Sequence, residues 1–543
     1  MLRIILLLDS LTVSAWTWES ISQILKEKNA QIVLAVLNQS PKSSGEKSPF
    51  FYRVYRAMDR RVFLTRPDAF AKKDLNTIPG WDIPILQAQP IQKKYSDYLM
   101  PETLNEIRSY HPDIIIRFGF RILRGEILNL APLGVWSFHH GDNQHYRGGP
   151  PCFWEVMNQE DTTGVVLQQL QEKLDDGLIL YKSLAQTDPL SVQRNANKIF
   201  WLSAFIIPRV IRQIEVMGIE KWKENIKQNQ SCSSDKIPIL TPPGFALMLA
   251  NWVNLWSRNI SRKLKESYKK PYWELLVAPN TAQTSIINQK INFKSISPPI
   301  GKLPKGSFWA DPFPIEKDGK IWVFFEEFDG KTQKGKIGLG EWNAQELVST
   351  RIILEEDWHV SYPFIWEENG SFYMIPESGE AGKTYLYKAT DFPFRWERSG
   401  ILLEEEAYDP TLWKSGDQYW FFVNQRPHSG TSAFVELYAY FSLSLENPIW
   451  TPHALNPIVS DVRASRPAGR IFQQNGKLYR PAQDSGKRYG HRVKIQEILK
   501  LTDTEFEEKT VRIFEPDEIN GTLGTHTFNF TPNWIFSDSY SRK

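Results

Sequence analysis

The feature that most constrains the fold is a repeat in the second half of the 543-residue chain. Each copy runs from a polar residue and a proline into an apolar segment, a glycine turn and an aromatic segment. The copies are ADPFPIEKDGKIWVFF (310–325), SYPFIWEENGSFYMIP (361–376), YDPTLWKSGDQYWFF (408–422) and SRPAGRIFQQNGKLYRP (465–481). Their prolines lie 51, 47 and 57 residues apart, and four-stranded propeller blades repeat about every 40–50 residues. The repeat therefore predicts a β-propeller with loop insertions.

Two further segments complete the predicted ring. GTHTFNF (524–530) has the order of a degenerate fifth copy, and the apolar segment YWELLVAP (272–279) could close the ring with the C-terminal end. The sequence therefore predicts a five-bladed β-propeller over residues 271–543.

Residues 1–220 have a different pattern and predict a separate α/β domain. Short runs rich in β-branched residues alternate with segments of helical periodicity, which is typical of a mainly parallel sheet covered by helices. A helix over residues 190–216 is expected to close this domain, with a kink at Pro208. The predicted strands are RIILLLD (3–9), AQIVLAVLN (30–38), PDIIIRFG (112–119), GVWSFHH (134–140), TGVVLQQLQ (163–171) and GLILYKSL (177–184).

Residues 221–270 are predicted to hold a linker and one amphipathic helix. Residues 225–244 are polar and contain prolines, while GFALMLANWVNLWSRNISRKLKES (244–267) has an apolar face and a basic end. Two interpretations stay open for this helix. It could pack between the two domains, or it could lie on a membrane surface, as basic amphipathic helices with tryptophan do.

Composition excludes several classes of protein. A net charge of +3 lacks the strong basic field of a nucleic-acid-binding protein, so no nucleic-acid partner is expected. Cys152 and Cys232 cannot form a disulfide framework and lack zinc-ligand spacing. The apolar start MLRIILLLDS is interrupted by Asp9, which favours a buried strand over a signal peptide. No apolar run approaches the roughly 20 residues of a bilayer span, so we expect a cytoplasmic protein.

Three of the nine histidines lie in the segment WSFHHGDNQHYRGGPP (136–151). The segment begins on a predicted strand and continues from its C-terminal end into a loop, which is where ligands bind in open α/β sheets. His139 and His140 are adjacent and would point to opposite faces of a strand, so a shared metal ion is not expected. For His140 and His145, hydrogen bonding within the loop is the simpler interpretation.

The stretch GVWSFHHGDNQHYRGGPPCFWEVMNQEDTTGVVLQQLQEKLDDGLIL (134–180) resembles the signature of the folate-dependent formyltransferases. This family includes methionyl-tRNA, glycinamide ribonucleotide and nucleotide-sugar formyltransferases. The preceding segment, 112–134, is also similar to the family. The residues in register with the family's pattern are Gly134, His139, Arg147, Gly148, Trp154, Thr163, Gly164, Val165, Leu174, Asp175, Gly177, Ile179 and Leu180.

The resemblance implies formyl transfer from 10-formyltetrahydrofolate to an amine, through a tetrahedral oxyanion. It implies that His139 stabilises the oxyanion and moves a proton, and that Asp175 orients that imidazole and helps to deprotonate the amine. Asp176 is a second candidate for the role of Asp175. The alternative to a catalytic Asp175 is an aspartate that only forms the turn before a glycine. The backbone around the pterin would come from Phe118, Gly119, Phe120, Ile122, Asp176 and Gly177.

The chain departs from the family's pattern at three places. Ser137 occupies the position of the family's asparagine, and a serine can donate the same hydrogen bond only over a shorter reach. HGDNQ (140–144) replaces the family's Pro-Ser-Leu-Leu-Pro loop, and DSLTVSAW (9–16) replaces its glycine loop. Ser10 in the latter segment is a candidate substrate contact. Arg147 could bind an anionic substrate or brace its loop, and both interpretations stay open.

The propeller segment FWADPFPIEKDGKIWVFFEE (308–327) resembles the propeller of glucosamine inositolphosphorylceramide transferases, and more distantly that of arabinanase-type glycosidases. Glycosidases need two carboxylates that face one pocket. Asp311, Asp409 and Glu377 are the candidates for glycan contact or catalysis. The alternative is that Asp-Pro is part of the repeat itself, because Tyr362 and Arg466 occupy the same position in other blades.

The leading hypothesis is a formyltransferase that acts on an amino sugar, nucleotide- or lipid-linked, in surface polysaccharide or glycoconjugate synthesis, with a glycan bound by the propeller. The second hypothesis is a glycan-binding or glycoside-hydrolase-like propeller protein whose formyltransferase-like domain is inactive. Formylation of initiator tRNA is disfavoured, because the propeller replaces the expected small C-terminal barrel and the chain is barely basic.

Overall fold

The computed structural model of the chain divides into two compact units. Unit 1 comprises Met1–Ile260 and Pro427–Ser432, and unit 2 comprises Ser261–Arg426 and Ala433–Lys543. Unit 1 therefore extends past the predicted domain of residues 1–220 and includes most of the segment assigned to a linker and helix. The structure describes residues 1–40, 48–93, 95–172, 177–228, 237–268, 271–281, 286–287, 291–296, 298, 303–446, 448–516 and 522–542.

Unit 1 is the predicted α/β domain; its described residues form a seven-stranded sheet with helices and three small accessory sheets. Its elements are β1 (Leu2–Leu8), β2 (Thr12–Ser14), α1 (Ala15–Leu25), β3 (Ala30–Asn38), α2 (Phe50–Val62), β4 (Lys72–Asp74), β5 (Ile85–Ala88), β6 (Ile91–Lys93), β7 (Ser96–Tyr98), α3 (Pro101–Ser109), β8 (Ile114–Arg117), β9 (Ile122–Leu123), β10 (Val135–His139), β11 (Arg147–Gly148), α4 (Trp154–Asn158), β12 (Thr162–Gln169), β13 (Leu178–Gln186), α5 (Val192–Ser203), α6 (Ile206–Met217), α7 (Ile219–Gln228), β14 (Ile239–Leu240) and α8 (Phe245–Tyr268).

The strand order of the large sheet is β13-β12-β10-β8-β1-β3-β5. The five strands from β10 to β5 are parallel, while β12 and β13 run antiparallel to their neighbours. The prediction of a mainly parallel sheet is confirmed. The chain builds the sheet outward from β1 on one side and then from β8 on the other, so the order reverses between these two strands. In open α/β sheets, the carboxyl ends of the strands at such a reversal form the ligand crevice.

The predicted long helix over 190–216 is broken rather than kinked. It forms α5 and α6, with Ala204 and Phe205 between them, so the break lies just before Pro208. Proline has no amide hydrogen, and its ring clashes with the carbonyl group four residues earlier. The helical hydrogen-bond ladder therefore cannot run through this point.

The predicted amphipathic helix is α8. Its residues up to Ile260 belong to unit 1, and those from Ser261 onward belong to unit 2. One side of its unit 1 part packs on the rest of that unit, where Met248 and Leu255 are buried together with Tyr55 of α2 and Phe153. Within the described residues, no helix has both the length and the apolar character needed to cross a membrane.

Unit 2 consists of five antiparallel sheets, which confirms the predicted five-bladed propeller. The first blade joins β15 to the last strand, β36, and the other four blades are β17–β20, β21–β24, β25–β29 and β30–β34. The strands are β15 (Pro271–Pro279), β16 (Lys294–Ile296), β17 (Phe308–Lys317), β18 (Lys320–Asp329), β19 (Lys334–Trp342), β20 (Leu347–Leu354), β21 (Ser361–Glu368), β22 (Ser371–Glu377), β23 (Thr384–Asp391), β24 (Arg395–Leu403), β25 (Tyr408–Ser415), β26 (Gln418–Asn424), β27 (Glu436–Ser442), β28 (Thr451–Pro452), β29 (Val459–Ser460), β30 (Arg466–Pro467), β31 (Phe472–Gln474), β32 (Lys477–Asp484), β33 (Arg492–Leu501), β34 (Phe506–Phe514), β35 (Phe528–Phe530) and β36 (Trp534–Arg542).

The repeated Xaa-Pro position has a structural cause in three blades. Asp311, Tyr362 and Asp409 have φ values of 52°, 45° and 47°, and the pairing register shifts at each of them. A bulge with a residue in the left-handed region bends the strand and re-aims its side chains. The same backbone feature therefore recurs whether the residue is an aspartate or a tyrosine.

We expect Gly119→Ala to destabilise unit 1. A Cβ at this position would lie 2.7 Å from the carbonyl carbon of Leu8 and closer still to the amide nitrogen of Asp9. Overpacking of this kind costs about 1–3 kcal/mol or more, since backbone cannot move aside as a side chain can. Urea unfolding followed by hydrogen exchange of β1 and β8 measures the loss. Gly244→Ala, with nothing within 4 Å of its Cβ, should change little, and equal effects would contradict the explanation.

Candidate functional site

The candidate site lies at the carboxyl ends of β1, β8 and β10. Asp9 follows β1, and its carboxylate accepts the backbone amide of Phe120 at 2.8 Å and the side-chain amide of Asn38 at 3.1 Å. The loop after β8 is thereby tied to the end of β1. This loop contains the predicted cofactor-binding residues Phe118, Gly119, Phe120 and Ile122.

Ser137 is buried in β10 and is bonded to an arginine of the neighbouring strand. It lies beside Arg117 in the parallel register of β8 and β10, and Nη1 of Arg117 donates to the Ser137 hydroxyl at 2.6 Å. The same guanidinium donates to the carbonyl oxygens of Arg121 and Phe120. A permanent cation therefore stands next to the position where the related family has an asparagine amide. Its charge suits the stabilisation of a developing oxyanion.

His139 ends β10 and lies on the same face of the strand as Ser137, because side chains two residues apart share a face. Its Nε2 lies 2.8 Å from the carbonyl oxygen of Tyr146. A carbonyl oxygen only accepts, so Nε2 carries the proton in this arrangement. In the neutral ring, Nδ1 is then the basic nitrogen.

His140 faces the other side of the sheet and lies among aromatic rings. It stacks on Phe200 with ring centroids 3.6 Å apart and planes 8° apart, and the edge of Trp16 packs against it. Burial lowers the pKa of His140 to about 3, so its ring stays neutral. Among the described residues its Nε2 has no hydrogen-bond partner. Hydrogen bonding within the loop, the interpretation favoured from the sequence for His140, is thus not what holds the ring.

The loop that replaces the family's Pro-Ser-Leu-Leu-Pro segment is anchored to the sheet. The Asp142 carboxylate pairs with the ammonium group of Lys182 on β13 at 2.5 Å, and its backbone carbonyl accepts the amides of His145 and Tyr146. Gly164 of β12 packs directly against Asp142, where a Cβ would come within 3.1 Å. The ion pair of Asp142 with Lys182 therefore holds this loop where the family has prolines.

Arg147 and Ser10 make contacts within the protein. Arg147 is buried, and its backbone lies beside Ile239 in the parallel pairing of β11 and β14. Nη1 of its side chain donates to the carbonyl oxygen of Ile237 at 3.3 Å. These contacts suit the loop-bracing interpretation. Ser10 is exposed; its hydroxyl donates to the carbonyl of Thr12 and accepts the Thr12 amide.

The predicted acidic residues Asp175 and Asp176 lie outside the described residues. Gly177 follows them and leads into β13, and its backbone lies close to that of Gln169. A Cβ on Gly177 would collide with the carbonyl oxygen of Gln169.

Glu155 of α4 is an acidic residue near His139 that sequence reasoning missed. A Cβ on Gly141 would lie 3.1 Å from Nε2 of His139 and 3.4 Å from Oε1 of Glu155, so both groups border the same small space. Glu155 is 3% exposed, and among the described residues its Oε1 accepts no hydrogen bond. Burial raises its pKa to about 7, which lets it gain or lose a proton near neutral pH.

The three acidic residues predicted in the propeller lie near its centre and are all buried. Arg466 joins two of them: Nε and Nη2 donate to Asp409, and Nη2 lies 3.0 Å from Oε2 of Glu377. Burial raises the pKa of Asp409 to about 7, against the opposing effect of the Arg466 charge. The guanidinium also faces three rings, those of Tyr408, Phe434 and Tyr489.

Asp311 belongs to a neighbouring part of the same polar centre. It accepts hydrogen bonds from the Thr527 hydroxyl and the Tyr362 amide. Donor atoms of Asp311, His526 and Asp538 lie within 4.8 Å of one another, so this trio could hold a metal ion. Nδ1 of His526 lies 2.6 Å from Asp538, and these acids outweigh burial and raise the pKa of His526 to about 9. A metal ion would have to displace that proton.

Sequence reasoning missed Arg117, Glu155 and the pairing role of Arg466. The sequence did contain a signal for Arg117, since it is a basic residue at the end of a predicted strand. The loop that follows it is the one to which the family resemblance assigns cofactor binding. Glu155 is one residue from Trp154, which is in register with the family. Its position beside His139 depends on the turn of α4, which no local pattern reports.

One family model and several known proteins are similar to parts of this chain. Residues 284–524 match the family model described as glucosamine inositolphosphorylceramide transferase 1, N-terminal. The protein of that name from Oryza sativa subsp. japonica is 34% identical over 223 residues, which are 40% of this chain and 29% of that protein. The chain thus spans less than a third of this relative's length. The solved α-L-arabinanase of Cellvibrio cellulosa, complexed with arabinohexaose, is 15% identical and covers 44% of this chain and 91% of its own, with a TM-score of 0.30.

A methionyl-tRNA formyltransferase from Chlorobium chlorochromatii (strain CaD3) is 30% identical over 118 residues, or 21% of this chain and 37% of that enzyme. The chain therefore joins a formyltransferase-like N-terminal domain to a region that is similar to the N-terminal part of the plant transferases.

We expect Glu155→Gln to flatten the pH dependence of unit 1 stability. With its pKa raised to about 7, Glu155 holds its proton more tightly when folded than when unfolded. Glu155 therefore stabilises the folded state fully at a pH below the pKa that it has in the unfolded chain. This stabilisation, about 3 kcal/mol in all, is lost as the pH rises towards 7. Urea titrations between pH 4 and 8, followed by hydrogen exchange of β10 and α4, measure the slope. Glu220→Gln, at a glutamate whose side chain is 87% exposed, is the control; a wild-type slope in Glu155→Gln would refute the assignment.

We expect Arg466→Met to destabilise the propeller by about 3–5 kcal/mol, because it leaves two buried carboxylates without their cation. The loss should be smaller at pH 5 than at pH 8, since Asp409, whose pKa burial raises to about 7, can then take up a proton. Chemical denaturation of the full chain measures it. Arg463→Met is the matched control: its ion pair with Asp461 is 2.7 Å long but half-exposed, so the loss there should stay below about 1 kcal/mol.

Proposed function

We propose that this protein transfers the formyl group of 10-formyltetrahydrofolate to the amine of an amino sugar, nucleotide- or lipid-linked, in the synthesis of surface polysaccharides or glycoconjugates. The observation that most supports this is that His139 lies on the same face of β10 as Ser137, whose hydroxyl is bonded to Arg117 of β8. The carboxyl edge of these two strands joins a histidine able to move a proton to a cation able to stabilise an oxyanion.

The chemistry needs three actions from the protein. The amine must lose a proton as its nitrogen forms a bond to the formyl carbon, the formyl oxygen must be stabilised as an anion, and the leaving nitrogen must gain a proton as its bond breaks. Arg117 would donate to the oxyanion, an interaction that is worth roughly 2.7–4 kcal/mol in comparable sites. Nδ1 of His139 would take the proton from the amine. The protonated Glu155 carboxyl would supply a proton to the leaving nitrogen.

The choice of acceptor rests on the second half of the chain. The relatives of the propeller are named for a transferase of glucosamine inositolphosphorylceramide, which contains an amino sugar linked to a lipid. An acceptor of this class carries both the free amine that formyl transfer needs and the hydroxyl groups that a glycan-binding propeller would recognise. Buried acids and aromatic rings of the kind that surround Arg466 suit such hydroxyl-rich ligands.

We expect His139→Asn to lower the turnover number by about 100-fold or more, since a positioned proton-transfer group contributes 10²–10⁴. The assay incubates the full chain with 10-formyltetrahydrofolate and a panel of nucleotide-linked amino sugars, and follows tetrahydrofolate release and the formylated sugar by mass spectrometry. His145→Asn, in the same loop but with a side chain that is 72% exposed, should retain activity. No turnover by the wild type with any amine, together with no folate binding in calorimetry, would refute the proposal.

The second candidate is a glycan-binding propeller protein with an inactive formyltransferase-like domain. The observation in its favour is that the Ser137 hydroxyl, which replaces an asparagine, is already bonded to Arg117. In that case, glycan binding measured on an array should survive His139→Asn and be weakened by Tyr489→Ala, which removes a 37%-exposed ring beside Arg466. Asp311→Asn with every measurable activity intact would count against a hydrolytic version.

A further inference from the structure

Helix α8 exposes a continuous apolar stripe. Its members are spaced by three or four residues and are each between 44% and 60% exposed: Phe245, Leu249, Val253, Trp256, Ile260 and Leu264. At about 100° per residue, all six fall within an arc of about 100° around the helix. Single exposed apolar side chains are ordinary in proteins, but a contiguous row of six indicates a binding surface.

The stripe is distinct from the face that holds α8 in place. Met248 and Leu255, at 0% and 3% exposure, point into the core that α8 shares with α2. Nη1 of Arg258 donates to the carbonyl oxygen of Val156 at 3.1 Å. The helix is therefore already anchored without the stripe, which is left to contact something else.

Helix α2 extends the apolar surface. The rings of Phe51 and Phe245 are in contact, with centroids 4.4 Å apart, so the beginnings of the two helices lie side by side. Next to this contact, Phe50 is 63% exposed, and further along α2 Met58 and Val62 are 38% and 60% exposed. We call the exposed apolar residues of α2 and the α8 stripe together the α2–α8 surface.

The charged residues of the two helical segments that form this surface are basic, apart from one buried aspartate. Between Phe50 and Val62 and between Phe245 and Leu264, the basic residues are Arg53, Arg56, Arg60, Arg61, Arg258, Arg262 and Lys263. The acid in these segments is Asp59, which is 4% exposed and accepts hydrogen bonds from Ser191 and Gln193. Apolar side chains, a tryptophan and surrounding cations are the combination found on helices that lie in the interface of a negatively charged bilayer.

We propose that the α2–α8 surface binds the surface of an anionic lipid bilayer, with α8 lying in the plane of the membrane. Trp256 and its apolar neighbours enter the boundary between headgroups and acyl chains, while the arginines contact lipid phosphates. A second copy of this chain fits the surface less well, because a two-fold contact would bring the same cations against each other. The inference does not depend on the formyl-transfer activity.

Flotation of the full chain with vesicles tests the proposal. One set contains phosphatidylcholine alone, and the other contains phosphatidylcholine and phosphatidylglycerol in equal parts. We expect the wild type to float with the anionic vesicles and to be released by high salt. The double variant Val253→Asn/Ile260→Asn should bind at least about tenfold more weakly, and so should Arg60→Gln/Arg61→Gln.

Leu247→Asn is the matched control. Leu247 is 50% exposed on the same helix but lies about 100° or more from every member of the stripe, so its variant should bind like the wild type. Thermal melting of each variant shows that the exposed substitutions leave the fold intact. Failure of the wild type to bind anionic vesicles would overturn the proposal, and so would equal binding by Val253→Asn/Ile260→Asn. Dimerisation of the wild type without lipid, abolished by that double variant in sedimentation equilibrium, would instead assign the surface to a second copy.

Discussion

The candidate site depends on the close approach of the backbone at the ends of β1 and β8. At this point the strand order reverses, and Gly119 lies so near Leu8 and Asp9 that no side chain fits between them. The Asp9 carboxylate then accepts the Phe120 amide across the gap. This contact places the loop after β8 at the carboxyl edge of the sheet, next to Arg117, whose strand pairs with β10.

Both units hold acidic groups away from water, but they neutralise them differently. In the propeller, Arg466 bonds to Asp409 and Glu377, so burial is compensated by an opposite charge. In unit 1, no cation among the described residues pairs with the buried Glu155, so this carboxyl becomes neutral by taking up a proton. The first arrangement stabilises a fixed centre, whereas the second provides a group that can exchange a proton.

Much of the fold was predictable because it rests on local patterns. The strands β1, β3 and β10 were predicted within a residue or two, since parallel strands that are buried on both faces read as unbroken apolar runs. The propeller was predictable because each blade repeats one order of residue types. The break between α5 and α6 was predicted only in part. Pro208 predicted a kink in one helix, whereas the helix ends at Ser203 and a second helix begins at Ile206. The site was less predictable, and His140 shows why. Its neutral, stacked state depends on Phe200 and Trp16, which lie far from it in the chain.

The sequence by itself determined the two architectures and the position of His139 at the end of a strand, because periodicity and motif spacing are properties of neighbouring residues. Only the tertiary structure decided what surrounds that histidine. The pairing of Ser137 with Arg117 joins two strands, and the proximity of Glu155 to His139 depends on how α4 packs. The same holds for α8, whose sequence shows an apolar face but not which part of that face packing leaves exposed. Contacts between residues distant in the chain follow from packing and burial, and no local pattern records them.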